Sequence, residues 1–252
     1  MINILLSGCN GKMGQVITKL ASQKEELKIA AGFDVNTSIQ NTYPVFTDLK
    51  KCDVKIDVII DFSHPAALEN LIEFAVSRKI PAVVATTGLN NSQIKMLKDV
   101  SKYIPVFFSA NMSLGVNLLL DLVKKAAKVL ENNFDIEIVE KHHNQKIDAP
   151  SGTALAIADA INSVLNEQQE YVYDRHSRRK KRSKTEIGIH AVRGGTIVGD
   201  HSVIFAGNDE IIEINHIAMS KDIFAVGSLN AAAFLYNKQP GMYNMNDLIQ
   251  SK

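Results

Sequence analysis

The stretch Gly8-Cys9-Asn10-Gly11-Lys12-Met13-Gly14 follows a short apolar run, Ile2–Ser7. It precedes a segment, Gln15–Gln23, in which Val16, Ile17, Leu20 and Ala21 recur at helical spacing. A buried strand, a glycine turn and a helix in that order constrain the fold more than any other feature of the chain. The spacing is G-x-x-G-x-x-G, because Cys9 stands where the strict dinucleotide fingerprint has its first glycine. The physical roles survive the shift. Gly8 permits the tight turn, Gly11 lets the backbone approach a pyrophosphate, and Gly14 lets the helix pack close to the strand. Amide N–H groups at the helix start then face the anion. Asp34 ends a second apolar run, Leu27–Phe33, at about the 20-residue offset where a carboxylate binds an adenosine ribose. The same residues also fit a plain strand–helix turn with a surface aspartate; the order of all the parts favours a dinucleotide site.

Asp34 bears on which dinucleotide. Its carboxylate repels a 2′-phosphate, and the following Val35 and Asn36 offer no arginine to bind one. NADH is therefore the expected cofactor. Lys12 is within reach of a 2′-phosphate, so NADPH stays possible.

Strand and helix signals alternate through the first half. Ile56–Ile60, Pro81–Ala85 and Ile104–Phe108 read as strands, and Pro65–Ser77 and Asn91–Tyr103 as helices. That alternation implies βαβ units and a parallel sheet covered on both faces. Asn111–Leu130 reads as one long helix at a domain boundary. Beyond it the pattern changes to strands Phe134–Lys141, Ile187–Val192, Thr196–Phe205 and Glu210–Ala218, interrupted by one helix, Thr153–Asn166. A last helix, Ile223–Tyr236, needs a surface for its apolar face and is expected to pack back on the first domain. The expected fold is an α/β Rossmann-type parallel sheet plus a second α+β domain with a mixed sheet. The expected boundaries are 1–112 and 219–252 for the dinucleotide-binding domain and 113–218 for a substrate-binding and oligomerisation domain.

The balance of 28 basic and 27 acidic residues in 252 leaves a net charge of +1, so no global field points to nucleic acid or a membrane. One basic run, residues 175–184, is read as a solvated loop, since no nucleic-acid motif accompanies it. Cys9 and Cys52 make no disulfide framework and suit a reducing compartment. No apolar stretch approaches the roughly 18–20 residues that span a bilayer, and the N-terminus has no targeting pattern. A cytoplasmic protein is expected.

Residues 140–153 read Glu-Lys-His-His-Asn-Gln-Lys-Ile-Asp-Ala-Pro-Ser-Gly-Thr. Adjacent histidines in extended chain point to opposite faces, and no metal-ligand spacing supports them, so no metal is expected. Ser151 lies outside a nucleophile elbow and sits where a helix N-cap belongs. A helix start binds anions. Gly152 and Thr153 would present N–H groups, Lys146 a positive charge, and a nearby histidine a proton. Together these suit a small carboxylate that is held and protonated; a polar loop with exposed histidines is the other reading.

The stretch resembles the signature Glu-x-His-His-x-x-Lys-x-Asp-x-Pro-Ser-Gly-Thr of the dihydrodipicolinate reductase family. The resemblance also covers GCNGKMG at the start, DFSHP (61–65), ATTGL (85–89), SANMSLGVN (109–117) and IGIHAVRGGTIVGDH (187–201). It implies a Rossmann domain, a mixed-sheet domain that builds a homotetramer, and NAD(P)H-dependent reduction of 4-hydroxy-tetrahydrodipicolinate in lysine biosynthesis. It implies His142 as general acid/base, Lys146 as a proton donor, and His143, Gly152 and Thr153 as ligands of the dicarboxylate substrate. Gly8, Cys9, Asn10, Gly11, Lys12 and Met13 match the pyrophosphate turn, and Asp34 the ribose carboxylate. Ala85, Thr86, Thr87 and Ser109, Ala110, Asn111, Met112 correspond to loops on the nicotinamide side. Val35 and His64 stand where some members carry arginine, which again favours NADH, and Asn230 also replaces an arginine. The competing classes are another Rossmann-type amino-acid or semialdehyde dehydrogenase, and a non-catalytic dinucleotide-binding regulator. The first gives no reason for the His-His-x-x-Lys stretch, and NADH oxidation with the dihydrodipicolinate synthase product would exclude the second.

Overall fold

A computed structural model describes residues 1–131 and 133–251. Asn132 and Lys252, which the expected domain boundaries include, lie outside them. The described chain divides into two compact units, one of Met1–Leu114 with the chain from Asp222 onward, the other of Gly115–Lys221.

The first unit holds strands β1 (Ile2–Ser7), β2 (Leu27–Phe33), β3 (Val45–Phe46), β4 (Val58–Asp61), β5 (Ala82–Val84) and β6 (Pro105–Phe108). Helices α1 (Lys12–Ala21), α2 (Leu68–Arg78) and α3 (Asn91–Val100) connect them. The second unit contributes α4 (Leu114–Leu130), β7 (Asp135–His142), α5 (Gly152–Asn162), β8 (Glu170–Val172), β9 (Glu186–Arg193), β10 (Gly199–Ala206) and β11 (Ile211–Ala218). The chain then returns to the first unit with α6 (Asp222–Leu235), β12 (Gly241–Tyr243) and α7 (Met245–Gln250).

The first sheet is parallel, in the order β12-β6-β5-β4-β1-β2-β3. Its strands are apolar on both faces, as a doubly covered parallel sheet requires. Ile4, Leu6, Val58, Ile60, Val83 and Phe107 point into a core shared with α1 and α6. Leu5, Ile59, Val84 and Val106 point into a second core with α2 and α3. The order reverses between β1 and β4, which opens a crevice at their carboxyl ends. Gly8 lies there, so the glycine turn sits where the topology makes a ligand site.

The second sheet is mixed, in the order β11-β10-β7-β9-β8. β10 is antiparallel to β7 and β11, while β7 and β8 run parallel to β9. One face packs on α4 and α5 through residues such as Ile136, Ile138, Leu119, Val123, Ile157 and Phe205. The period-2 burial of β7 continues past Ile136 and Ile138 to Glu140 and His142. Two polar side chains thus extend a core face, and they need partners there.

Several elements differ from the sequence reading. The helix expected from Asn111 begins at Leu114, because Asn111 Oδ1 accepts from the Ser113 N–H at 2.9 Å and holds a turn. Pro65–Ala67 is a 3₁₀ turn capped by His64, ahead of α2. Ile223–Tyr236 is Asp222–Leu235, and it is not the last helix, since α7 follows on an Asn244/Asp247 capping box. The two- and three-residue strands β3, β8 and β12 are too short to show periodicity. As expected, α6 packs in the core of the first unit, through Ala225, Leu229, Ala232 and Leu235.

The basic run is an exposed loop that three of its arginines pin down. Arg175 pairs with Glu186 and Glu137, Arg178 with Glu170, and Arg182 with Asp135 and Glu137. Arg182 also donates to the carbonyls of Ile136 and Glu186. Glu170 and Glu186 flank the run, whereas Asp135 and Glu137 lie far away in sequence, so the run alone could not reveal those two. Among the described residues, no helix is long and apolar enough to cross a membrane.

Candidate active site

The first unit carries a glycine turn whose shape demands glycine. Gly8 has φ +77°, and a Cβ there would lie 2.4 Å from the Phe62 carbonyl oxygen. A Cβ on Gly14 would lie 2.2 Å from the Gly8 oxygen, so α1 packs directly on the turn. Gly11 is different: its Cβ would meet only the Gly8 oxygen, at 3.3 Å. That leaves open space over Gly11, where a pyrophosphate would approach. Asp34 is knitted to the turn. Its Oδ2 accepts from the Asn10 N–H and its Oδ1 from the Asn36 N–H, both at 2.9 Å. The Asn10 side chain in turn donates to the Asn36 carbonyl and accepts from Asn41.

A cavity of about 690 Å³ is lined by Gly8, Asn10, Gly11, Asp34, Val35, Asn36 and His64 among others. None of its lining residues is Lys or Arg. A second cavity, of about 560 Å³, brings together Gly11, Lys12, Met13, Ala85, Thr86, Thr87, Ala110 and Met112, with Ser63 and Phe224. Cys9 is placed otherwise than expected. It is fully buried, with its sulfur against Gly32, and burial, aided by the Asp34 charge, pushes its thiol up to about 11. It is part of the turn's core and presents no ligand surface. Ser109 and Asn111 shape their loop instead of lining the cavity; Ser109 Oγ donates to the Asn111 carbonyl at 2.8 Å.

Beneath the second cavity lies Asp61, fully buried. It accepts from Ser63 Oγ at 2.6 Å and Thr86 Oγ1 at 2.7 Å, and Thr86 Oγ1 accepts from the Ser63 N–H. Burial raises the Asp61 carboxyl, against the lowering effect of the two hydroxyls. One acid thus ties the loop after β4 to the loop after β5.

The second unit carries the His-His stretch. The adjacent histidines part as extended backbone requires: His142 is buried and His143 is half-buried on the other side. His142 Nδ1 is 2.6 Å from Glu140 Oε2. The fully buried Glu140 also accepts both Arg193 guanidinium nitrogens, at 2.7 and 2.8 Å, and the Ser151 N–H at 2.9 Å. Burial alone would raise the Glu140 carboxyl, but Arg193, His142 and the Ser151 amide outweigh it and hold it below the usual carboxylate range. Lys146 Nζ pairs with Asp148 Oδ1 at 2.7 Å. Ser151 caps α5 through the Ala154 N–H, and the position of a Cβ on Gly152 is open space. The cationic Lys146, the imidazole of His142 and a helix start can bind a carboxylate and move a proton.

His201, Gly199 and Arg193 belong to this site and were not singled out by sequence. Ser151 Oγ lies 3.0 Å from His201 Nε2, and the rings of His201 and His142 meet edge to face at 5.2 Å. These residues lie about fifty positions along the chain, brought in by β9 and β10, so no local spacing marks them. Glu140 did carry a signal: it stands two residues before His142 on one strand face.

A family model described as "Dihydrodipicolinate reductase, N-terminus" matches residues 2–112, and one described as "Dihydrodipicolinate reductase, C-terminus" matches residues 115–249. A 4-hydroxy-tetrahydrodipicolinate reductase of Caldanaerobacter subterraneus subsp. tengcongensis is 57% identical over 250 residues, covering 99% of each chain. One from Clostridium tetani is 49% identical over 251 residues, covering 100% of this chain and 98% of its own. Among solved structures, a dipicolinate-bound dihydrodipicolinate reductase from Paenisporosarcina sp. TG-14 superposes with TM-score 0.84 at 22% identity, covering 98% of this chain and 99% of its own.

Proposed function

The chain belongs to the dihydrodipicolinate reductase family, and from that premise we infer how its own residues serve the family's reaction. The reaction is 4-hydroxy-tetrahydrodipicolinate + NAD(P)H + H⁺ → tetrahydrodipicolinate + NAD(P)⁺ + water. The first unit fits a nicotinamide dinucleotide, because Gly8 and Gly14 leave no room for a side chain and Gly11 leaves room for a phosphate. When bound, the reduced nicotinamide supplies a hydride to ring C4, from which the hydroxyl has left as water.

The hydride's electron pair enters the conjugated imine, and the resulting enamine needs one proton. His142 is the acid that supplies it, with Lys146 as the second donor. The two substrate carboxylates need positive partners. Lys146, His143 and the Gly152–Thr153 start of α5 fill that role, and Ser151 is their cap. The observation that carries this reading is the Glu140–His142 contact, which leaves Nε2 of His142 for the substrate.

Several finer assignments go with it. NADH is the preferred cofactor, supported by Asp34 and by the lack of Lys or Arg in the cavity beside it; Gly8, Asn10, Gly11, Lys12 and Met13 cradle its pyrophosphate. The return of the chain from Asp222 to Ser251 belongs with the dinucleotide domain. The enzyme works in the cytoplasm as a homotetramer. The exposed Ile211 and Ile217 on the edge strand β11 support self-association. Light scattering should then give four times the chain mass.

The deciding assay follows NADH oxidation with the product of dihydrodipicolinate synthase. Turnover that depends on that product is expected, and its absence would sink the functional reading. A preference for NADPH above about tenfold in kcat/KM, roughly 1.4 kcal/mol, would overturn the cofactor assignment alone.

A further inference from the structure

Glu140 lies at the centre of the second unit's polar cluster and touches neither the cofactor cavities nor open solvent. It stands two positions before His142 on β7, so both side chains face the same way. Each of its oxygens is filled twice. Oε1 accepts Arg193 Nη2 and the Ser151 N–H; Oε2 accepts Arg193 Nη1 and His142 Nδ1. Arg193 also donates to the Asp148 carbonyl at 2.6 Å, and the His142 carbonyl accepts the Gly194 N–H at 2.9 Å. The cluster therefore binds three parts together: the end of β7, the 143–150 loop and the start of α5.

An ionised carboxylate only accepts hydrogen bonds. With Arg193 opposite it, Glu140 is in that form, so the contact to His142 requires a proton on Nδ1. That fixes the imidazole tautomer and leaves Nε2 as the ring's one site for proton exchange. Through the Ser151 amide the same carboxylate sets the position of the helix start. We propose that Glu140, clamped by Arg193, is the positioning residue of this enzyme: it fixes the Nδ1–H tautomer of His142 and joins the proton donor to the carboxylate cradle as one rigid piece. This rests on the reading of His142 as the acid.

The test joins NMR to kinetics. Protein labelled with ¹⁵N at histidine gives the tautomer of His142 from long-range ¹⁵N–¹H correlations, with the signal assigned by its loss in His142→Gln. The wild type should show the Nδ1–H form. Glu140→Gln should lose that form and lower kcat by about 10²-fold, within the usual span for general acid catalysis. The KM for NADH should stay within about twofold. Glu140→Gln added to His142→Gln should lower kcat by no more than about threefold further, because it acts through the ring. Should Glu140→Gln fail to fold, Arg193→Lys carries the same test, since one ammonium cannot replace the paired contacts. An Nε2–H tautomer in the wild type, or an unchanged tautomer and kcat in the folded variants, would overturn the proposal. Normal turnover of His142→Gln would instead overturn the acid assignment, while the tautomer result would still decide what Glu140 does.

Discussion

A β-carbon on Gly199 would lie 3.2 Å from Nε2 of His142, the nitrogen left for the substrate. The imidazole has little room to give, because Glu140 holds its other nitrogen and the His201 ring closes its side. Gly199 itself needs no unusual backbone, and its Cβ would otherwise meet only the Ala218 methyl at 3.9 Å. Gly199→Ala should therefore fold with a stability loss of about 1 kcal/mol and still lower kcat by about 10–10²-fold, as small misplacements of an acid do. Unfolding curves and steady-state kinetics on the same preparation check both halves; an unchanged kcat would show that the ring moves freely.

The glycine turn separates a packing role from a ligand role. Gly14→Ala drives a methyl into the carbonyls of Gly8 and Cys9, so it should lose at least about 2 kcal/mol of stability and bind NADH poorly. Gly11→Ala meets one oxygen at 3.3 Å, closer than ordinary contact but relieved by a shift of a few tenths of an ångström, and should keep its melting temperature within a few degrees, roughly a 1 kcal/mol effect. Its dissociation constant for NADH should still rise at least about tenfold, as the methyl fills the space meant for the pyrophosphate. Isothermal titration beside thermal melts distinguishes them. Equal effects on folding and binding in Gly11→Ala would contradict the division.

How much of this was legible in the sequence follows from where each signal is stored. β1, the glycine turn and the carboxylate that braces it were legible because strand, turn and Asp34 sit within one βαβ unit of chain. The two sheets and the return of α6 followed from apolar periodicity. The partners of His142 were not legible, since Arg193 and His201 reach it only through the pairing of β7 with β9 and β10. The burial of the Cys9 side chain was not legible for a related reason. Its place in the fingerprint says which backbone is near a phosphate, but the side chain turns to the core.

Asp61 gives a prediction with a definite sign. Its carboxyl is raised in the fold, chiefly by burial, so its contribution to stability is full below the unfolded pKa and is lost as pH rises through the folded one. Asp61→Asn stays neutral and keeps an acceptor for one hydroxyl. The stability difference in favour of Asn should grow from pH 4 to pH 8, read from urea midpoints. The KM for NADH should rise several-fold, because Ser63 and Thr86 lose a shared anchor. A difference that stays flat with pH would mean that Asp61 titrates as it does in the unfolded chain.

His142→Gln and Lys146→Ala test the acid assignment directly. Each should lower kcat by about 10²–10⁴-fold, and Lys146→Ala should also raise the KM for the dicarboxylate substrate. Lys146 is held by Asp148, so its charge is aimed along the 143–150 loop. Near-normal turnover in both variants would remove these residues from the chemistry.

His201 gives a prediction on the acid side of the stability curve. Ser151 Oγ accepts the Ala154 N–H and shares a hydrogen bond with His201 Nε2 at 3.0 Å, while His201 Nδ1 is buried without a partner among the described residues. Burial, reinforced by the neighbouring His142, pushes the imidazole down to about 4. The unfolded chain takes up a proton at about 6.5 and the folded chain does not, so the fold loses stability as pH falls from about 6.5 to about 4. At 1.36 kcal/mol per pKa unit the full loss is about 3 kcal/mol. His201→Gln can still hydrogen-bond to Ser151 Oγ and has no charge to gain. Its unfolding free energy should fall less steeply than the wild type's between pH 6.5 and pH 4.5, measured by urea titration at fixed ionic strength. Parallel slopes across that window would show that another group governs acid unfolding.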